Sequence, residues 1–266
     1  MTNDFYLYRH AWISAPHFDC QLTDNQCKEL LKQGGWMVRN TFDIDCNTPT
    51  DFWYIIKDSY NGMEELSSKN RKKVQKALDR IEYRIVDKQF IENHGYDVVK
   101  IVSDSYAIRE MRMNKRVFQD LLANWNEEDC DFWGVFDKID DKFIGVKVVR
   151  RFDVGCFYDM TWILPEYKHN NSYAYYGLYY VLNEYYLGEK RYKYVTDGSR
   201  SITEHSNIQP FLEQNFNFRK AYCKMKIHYK WWFGLVVKML YPFKNLISNS
   251  SVKAMLKLHE LGLKSQ

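Results

Sequence analysis

Apolar and polar positions along the chain recur at two periods, and the switches between them mark out the elements. Around Asn25–Gln33 the spacing predicts a short helix, opened by Thr23 or Asp24 and stopped by Gly34-Gly35. Asp51–Asp58 (DFWYIIKD) alternates as a strand does. Glu64–Ile81 reads as a helix, with Leu66, Val74, Leu78 and Ile81 in one apolar stripe and Lys69, Lys72, Lys73, Lys76 and Arg80 mostly on another face. Glu82–Lys88 alternates again, Gln89–Glu110 supplies one or two helices, and Val117–Trp125 another. The segments DFWGVFDK and KFIGVKVVRRFD alternate about the acidic turn at Ile139–Asp141, which is the pattern of an antiparallel hairpin. CFYDMTWILPEY continues that meander, with Gly155 before it and Pro165 ending it. A polar turn, an aromatic-rich helix, a strand, a second helix and a last strand follow up to about Tyr229. From Glu82 the order is therefore strand, helices, three strands, helix, strand, helix, strand: an α/β (α+β) arrangement with a mixed, mostly antiparallel sheet flanked by helices. The expected division is an N-terminal extension over 1–81, a core domain over 82–229 and a C-terminal helical tail over 230–266.

Composition alters this picture little. At 266 residues the chain can bury a full core, and 45% apolar with 27% charged residues is ordinary for a globular protein. The aromatic fraction, 17%, is high; such rings line pockets for extended or sugar-like ligands, and they also fill cores. A net charge of +4 fits an anionic ligand such as a nucleotide cofactor and does not require nucleic acid. The six cysteines show no C-x-x-C pair and no histidine at zinc spacing, so no metal is expected, and with no leader peptide visible they read as reduced thiols in a cytoplasm. No apolar run reaches the ~20 residues a membrane span needs.

Reactive side chains concentrate between Cys156 and Asn207. Asp159, Glu166, Asp197 and His205 are candidate bases, and His205 has the side chain whose ordinary pKa suits proton transfer near neutrality. It lies in the loop 197–207, at the carboxyl end of a central strand, where α/β sheets tend to place ligands; the plain alternative is a capping or surface residue. Asp159 lies in an aromatic strand and needs a partner, for which Arg150, Arg151 and Arg200 are available. Ser199 and Arg200 would either hold an anionic acceptor or form a turn after Gly198. Trp53, Tyr158 and Trp162 are candidates for a substrate wall, or face their neighbours.

The order of elements, with a polar loop between the fourth strand and its helix, resembles the GNAT acyl-CoA N-acyltransferases over roughly residues 82–229. The family's phosphate loop reads Arg/Gln-x-x-Gly-x-Gly/Ala. The corresponding stretch is Lys168-His169-Asn170-Asn171-Ser172-Tyr173-Ala174, with Lys168 at the cationic position, Asn171 for the first glycine and Tyr173 for the second. The resemblance implies a thioester carbonyl polarised by backbone N–H groups near Trp162, Ile163 and Leu164, and cofactor contacts from Lys168 to Ala174 and from Asn207. It also implies an acyl-CoA donor such as acetyl-CoA, and catalysis by His205, Asp159 or Asp197. The closing segment is similar too: Asn207 leads the helix and Asn217-Phe218 stands for the usual Gly-Phe, whereas Glu213 and Gln214 occupy the place of the family's acidic tyrosine. LSSKNRKKVQKAL followed by EYRIVD resembles the Fem-type aminoacyltransferases. The implied acceptor is a small molecule, or the amine of a sugar, peptide or cell-envelope precursor. Two alternatives stay open, a GNAT-fold binding or scaffold protein and a transferase that takes its donor from aminoacyl-tRNA.

His228–Ile247 is the most apolar stretch, with Trp231, Leu235, Met239 and Phe243 near helical spacing and Lys230, Lys238 and Lys244 between them. It would lie on a membrane surface, on the rest of the chain, or on a second copy in a homodimer. The expected location is the cytoplasm or the inner face of a membrane.

Overall fold

The computed structural model describes residues 4–8, 10–106, 112–169, 171–202 and 208–265, the side chain of His169 excepted. In chain order the first elements are β1 (Phe5–Tyr8), β2 (Ala11–Ser14), α1 (Asp24–Lys32), β3 (Met37–Phe42), β4 (Trp53–Lys57), α2 (Ser68–Arg80), β5 (Ile81–Val86), α3 (Lys88–Ser105) and α4 (Lys115–Ala123). The middle of the chain forms β6 (Cys130–Asp137), β7 (Lys142–Arg151), β8 (Gly155–Ile163), α5 (Glu166–His169), α6 (Ala174–Asn183) and β9 (Tyr194–Ser199). The last elements are α7 (Ile208–Phe216), β10 (Arg219–Tyr222), β11 (Lys224–Tyr229), α8 (Trp231–Leu240) and α9 (Ser250–Lys264). They divide into two compact units, one of residues 1–56, 198–210 and 218–266, the other of 57–197 and 211–217.

In the first unit β1, β2, β3 and β11 form a four-stranded sheet in that order, in which only the β2–β3 pair is parallel. β4 pairs antiparallel with β10. α1 starts at a capping box: the Thr23 side chain accepts from the Gln26 N–H, and the Gln26 side chain accepts from the Thr23 N–H, which satisfies two first-turn donors. Its apolar face covers Phe5, Leu22 and Val38. Leu258 and Leu261 of α9 close over Phe52, Tyr54, Ala221, Cys223 and Met225. Polar groups buried there are paired as burial demands: the Tyr54 hydroxyl donates to the Ser14 carbonyl at 3.0 Å and meets Thr41 Oγ1, which in turn meets Ser14 Oγ at 2.8 Å.

In the second unit β9, β8, β7, β6 and β5 lie in that order, antiparallel except for the β8–β9 pair. The expected hairpin is β6–β7, and Asp141 takes the left-handed backbone at its turn (φ 50°). The basic helix begins later than its pattern suggested. Gly62–Glu65 forms a 3-10 turn, and α2 starts only after Ser67, whose hydroxyl accepts from the Asn70 N–H. The basic face of α2 is partly structural. Lys73 donates to the Tyr176 hydroxyl at 2.7 Å, and Arg80 pairs with Asp137 at 3.1 Å, while Lys69, Lys72 and Lys76 are exposed. Burial works against the Asp137 carboxylate, but the Ile139 N–H, the Tyr167 hydroxyl and Arg80 outweigh it and hold its pKa below the usual range. Asn217 has φ 56°, so it adopts the left-handed conformation that a glycine would supply there, and its side chain donates to the Glu65 carbonyl.

α2 packs against α6 at Gly177. A Cβ at this position would come 2.4 Å from the Tyr83 hydroxyl oxygen and 2.8 Å from the Ala77 methyl, so the contact needs the missing side chain. Gly177→Ala is expected to lower stability by about 1–3 kcal/mol through overpacking. Urea unfolding checks this, and adding Tyr83→Phe is expected to recover part of the loss; a neutral Gly177→Ala would contradict the packing account.

Candidate functional site

The parallel pair β8–β9 is in register only at Gly155↔Tyr194, Cys156↔Val195 and Phe157↔Thr196. β8 runs on to Ile163, so the two strands part after Phe157 and Thr196. On its other side β8 carries a bulge: Thr161 pairs with Lys147 and Tyr158 with Val149, which leaves Asp159 and Met160 opposite Val148 alone. A bulge re-aims the side chains of its strand, here next to the place where the strands separate.

Lys147 lies at the centre of this region and is 1% exposed. Its ammonium donates to Thr161 Oγ1 at 2.8 Å and lies 5.4 Å and 5.5 Å from the ring centroids of Tyr158 and Tyr179. Burial pushes its pKa from 10.5 down to about 8, and the charges of Asp197, Asp159 and Cys156 oppose that fall. Asp197, half-buried, supplies the largest opposing charge and directly follows Thr196, the last residue of β9 in register with β8. Asp159 has its partner in Arg150, whose guanidinium is 3.9 Å away; Arg151 pairs instead with Asp131 at 3.5 Å. Burial raises the Asp159 pKa, against the pull of Arg150, Lys147 and a hydrogen bond from the Trp125 indole. Tyr158 is buried and donates to Asn183 Oδ1 at 2.9 Å, and Trp162 meets Trp125 edge-on at 5.9 Å. The result is an amine, a hydroxyl and two carboxylates gathered in an aromatic setting where charges interact strongly.

At the end of β8 the Leu164 N–H donates to the Ile144 carbonyl at 2.9 Å, and Ile163 is in register with Gly145. In the loop that follows, the Lys168 ammonium donates to the Tyr106 hydroxyl at 2.9 Å and sits over that ring. Ser172 is buried and donates to the Tyr167 carbonyl. The left-handed turn falls on Tyr173 (φ 53°, ψ 33°), the residue before α6, and not on Asn171 as its side chain would suggest. Tyr173 lends no side-chain cap to α6, while Ala174 accepts from the Tyr83 hydroxyl through its carbonyl. A phosphate loop uses glycine so that backbone N–H groups approach the ligand closely; this loop has a ring at that position and its cation already engaged.

His205, Asn207 and Asn170 lie outside the described residues. Trp53, Ser199 and Arg200 belong to the first unit and cluster there. The Arg200 guanidinium lies 4.6 Å from the Trp53 ring and donates to the Asp51 carbonyl at 2.6 Å, and the Ser199 carbonyl accepts from Gln209 at 2.9 Å. Among the described residues no three His, Cys, Asp or Glu side chains gather as metal ligands would. Burial raises the thiol pKa of Cys27 and Cys130 to about 11 and of Cys223 to about 12, which leaves them unreactive at neutral pH.

Asp159, Asp197, Tyr158 and Trp162 are readable as candidates from sequence, but Lys147, Thr161 and Tyr179 are not. The available signal for Lys147 is a lone cation inside the apolar run Ile144–Val149 of a central strand, where a lysine has no solvent to reach.

No protein-family model matches the chain, and no curated protein matches its sequence. Solved structures do resemble it. FemX superposes with a TM-score of 0.54 at 11% identity, over 73% of this chain and 72% of that one. The C-terminal domain of a protein assigned as a lysylphosphatidylglycerol synthetase from Agrobacterium fabrum superposes with a TM-score of 0.50 at 11% identity, over 98% of this chain and 84% of that one. The chain thus shares a mixed α+β fold with FemX and with that C-terminal domain.

The buried Lys147 predicts a stability signature. A lysine whose folded pKa is about 8 and whose unfolded pKa is 10.5 binds fewer protons folded than unfolded between those values. It therefore weakens the fold below about pH 8, and that penalty fades as pH rises towards 10.5. The stability of the native protein minus that of Lys147→Met is expected to rise across this window by on the order of 3 kcal/mol. Urea unfolding of both proteins from neutral to alkaline pH measures it; a difference that stays flat contradicts the assignment.

Proposed function

We propose that the chain is an acyl- or aminoacyltransferase that moves an acyl group from an activated ester or thioester to an amine, at the parting of β8 and β9. The observation that carries the reading is the placement of Lys147, Thr161, Asp159 and Asp197 around that opening in a transferase-type fold. An attacking amine must give up a proton, and Asp197, half-buried beside the opening, is the group positioned to take it. Lys147 puts a positive charge next to that carboxylate and anchors Thr161. Because Lys147 is almost fully buried it acts as a positioning residue, through these two neighbours. Beyond Phe157 the β8 edge that leaves β9 is the natural source of backbone N–H groups for the developing oxyanion.

The donor is either acyl-CoA or an aminoacyl ester. The geometry of Lys168 and Tyr173 favours a donor that does not depend on a glycine-lined pyrophosphate grip, and hence an aminoacyl-tRNA over coenzyme A. The exposed Lys69, Lys72 and Lys76 of α2 agree with a polyanionic donor. Asp197→Asn is expected to lower turnover by about 10²-fold with the fold intact by circular dichroism. Transfer from labelled acetyl-CoA and from a mixture of aminoacylated tRNAs to a panel of amines supplies the assay. An unchanged rate removes Asp197 as the base, and no transfer from either donor removes the enzymatic reading in favour of a binding role.

A further inference from the structure

The most apolar helix of the chain is also the least buried. α8 reads WWFGLVVKML, and of its ten residues only Val237 is buried. Trp231 is 82% exposed, Leu235 55% and Met239 61%, and the following turn adds Phe243 at 57% and Leu246 at 83%. At about 100° per residue, Trp231, Leu235, Met239, Trp232 and Val236 fall within one arc of roughly 140°. The helix is anchored on Trp36: Phe233, opposite the arc, packs 5.3 Å from its ring, Trp232 meets the same ring at 5.7 Å, and the Lys230 N–H donates to the Trp36 carbonyl. The exposed arc is therefore held in a fixed orientation by a seated face. A continuous apolar surface of this kind marks a contact site.

Charge around the arc selects its occupant. Between Glu213 and Glu260 the sequence has no acidic residue. Residues 230–266 hold six lysines and one glutamate, so this segment carries more positive charge than the net +4 of the whole chain. Within the same unit a cleft of about 450 Å³ is lined by Arg200, Lys244, Lys253, Lys257 and Lys264 together with Asp51 and Glu260, so cations outnumber carboxylates there. Lys244 and Lys264 are held by Glu260 at 2.6 and 3.2 Å, and among the described residues Lys253 and Lys257 have no carboxylate partner. A second copy of the chain packed face to face would bring lysine rim against lysine rim, which costs energy. No helix among the described residues is long and apolar enough to cross a membrane. An apolar strip edged by lysines and ending in tryptophans instead suits the headgroup boundary of a bilayer with anionic lipids.

We propose that α8 and the turn after it form an interfacial membrane-binding surface for a bilayer carrying anionic headgroups, with the lysine-lined cleft receiving one of those headgroups. This rests on the surface of the first unit alone and stands whether or not the transferase reading does. The test is co-sedimentation of the full chain with vesicles of phosphatidylcholine, and of phosphatidylcholine with roughly a third phosphatidylglycerol. The chain is expected to sediment with the anionic vesicles, to be released as salt rises to about 1 M, and to stay in solution with neutral ones. Trp231→Glu/Leu235→Glu/Met239→Glu is expected to cut partitioning about tenfold or more while circular dichroism and the unfolding midpoint are unchanged. Lys253→Gln and Lys257→Gln are each expected to cut it on the order of fivefold. No binding to anionic vesicles at low salt, equal binding to neutral ones, or a triple variant that partitions as the parent does would overturn the proposal. A dimer in sedimentation velocity that the triple variant dissociates, without vesicle binding, would assign the surface to a second copy instead.

Discussion

The central constraint on the second unit is the burial of the Lys147 ammonium inside a β-sheet. A buried cation is costly unless its neighbours answer it, and they do so in three ways. Thr161 supplies a hydrogen-bond acceptor from the next strand, Tyr158 and Tyr179 turn aromatic rings towards it, and Asp197 and Asp159 supply opposite charge. The hydroxyl and the two carboxylates each depend on a backbone feature. The bulge in β8 places Asp159 and Thr161, and β9 leaves register with β8 after Thr196, one residue before Asp197. Even with these partners the lysine is pushed down to about pKa 8, so the region holds an amine near its titration point at neutral pH.

Charge poised in this way is more useful to a reaction than to stability. An apolar residue at position 147 would avoid the desolvation cost, and a strongly shifted group with specific charge partners is a candidate functional group. The loop after β8 is built differently. Its cation is engaged by Tyr106 and its left-handed residue is a tyrosine, so it lacks the glycine-lined approach by which backbone N–H groups hold a pyrophosphate.

Much of the fold was legible because periodicity and capping act locally. The β6–β7 hairpin follows from two alternating runs about an acidic turn, and α1 from Thr23 and Gln26 three residues apart. Asn217 was legible as a substitute for glycine for the same reason, since asparagine tolerates the left-handed backbone better than most residues. Asn171, which stands for the family's first glycine, does not take that backbone, and Tyr173 does. Tyr173 directly precedes α6, whose Gly177 packs against Tyr83 and Ala77, contacts that the local sequence does not reveal. Asp159 and Asp197 could be nominated from residue type alone, but Lys147 could not. A lysine in a strand ordinarily marks the solvent face, and only the tertiary arrangement shows that both faces of β7 are covered there. In the tail, the apolar stripe of α8 was visible in the sequence. Which side of the helix is seated depends on Trp36, far away in the chain.

The central claim is that one buried amine, coupled to Asp197, organises the site. Its most direct test is an NMR titration of side-chain-labelled lysine, with the Lys147 signal assigned through Lys147→Met. A midpoint near pH 8, moving lower in Asp197→Asn as an opposing charge is lost, is the predicted result. A Lys147 signal that titrates at the ordinary 10.5 and is unmoved by Asp197→Asn would contradict the account.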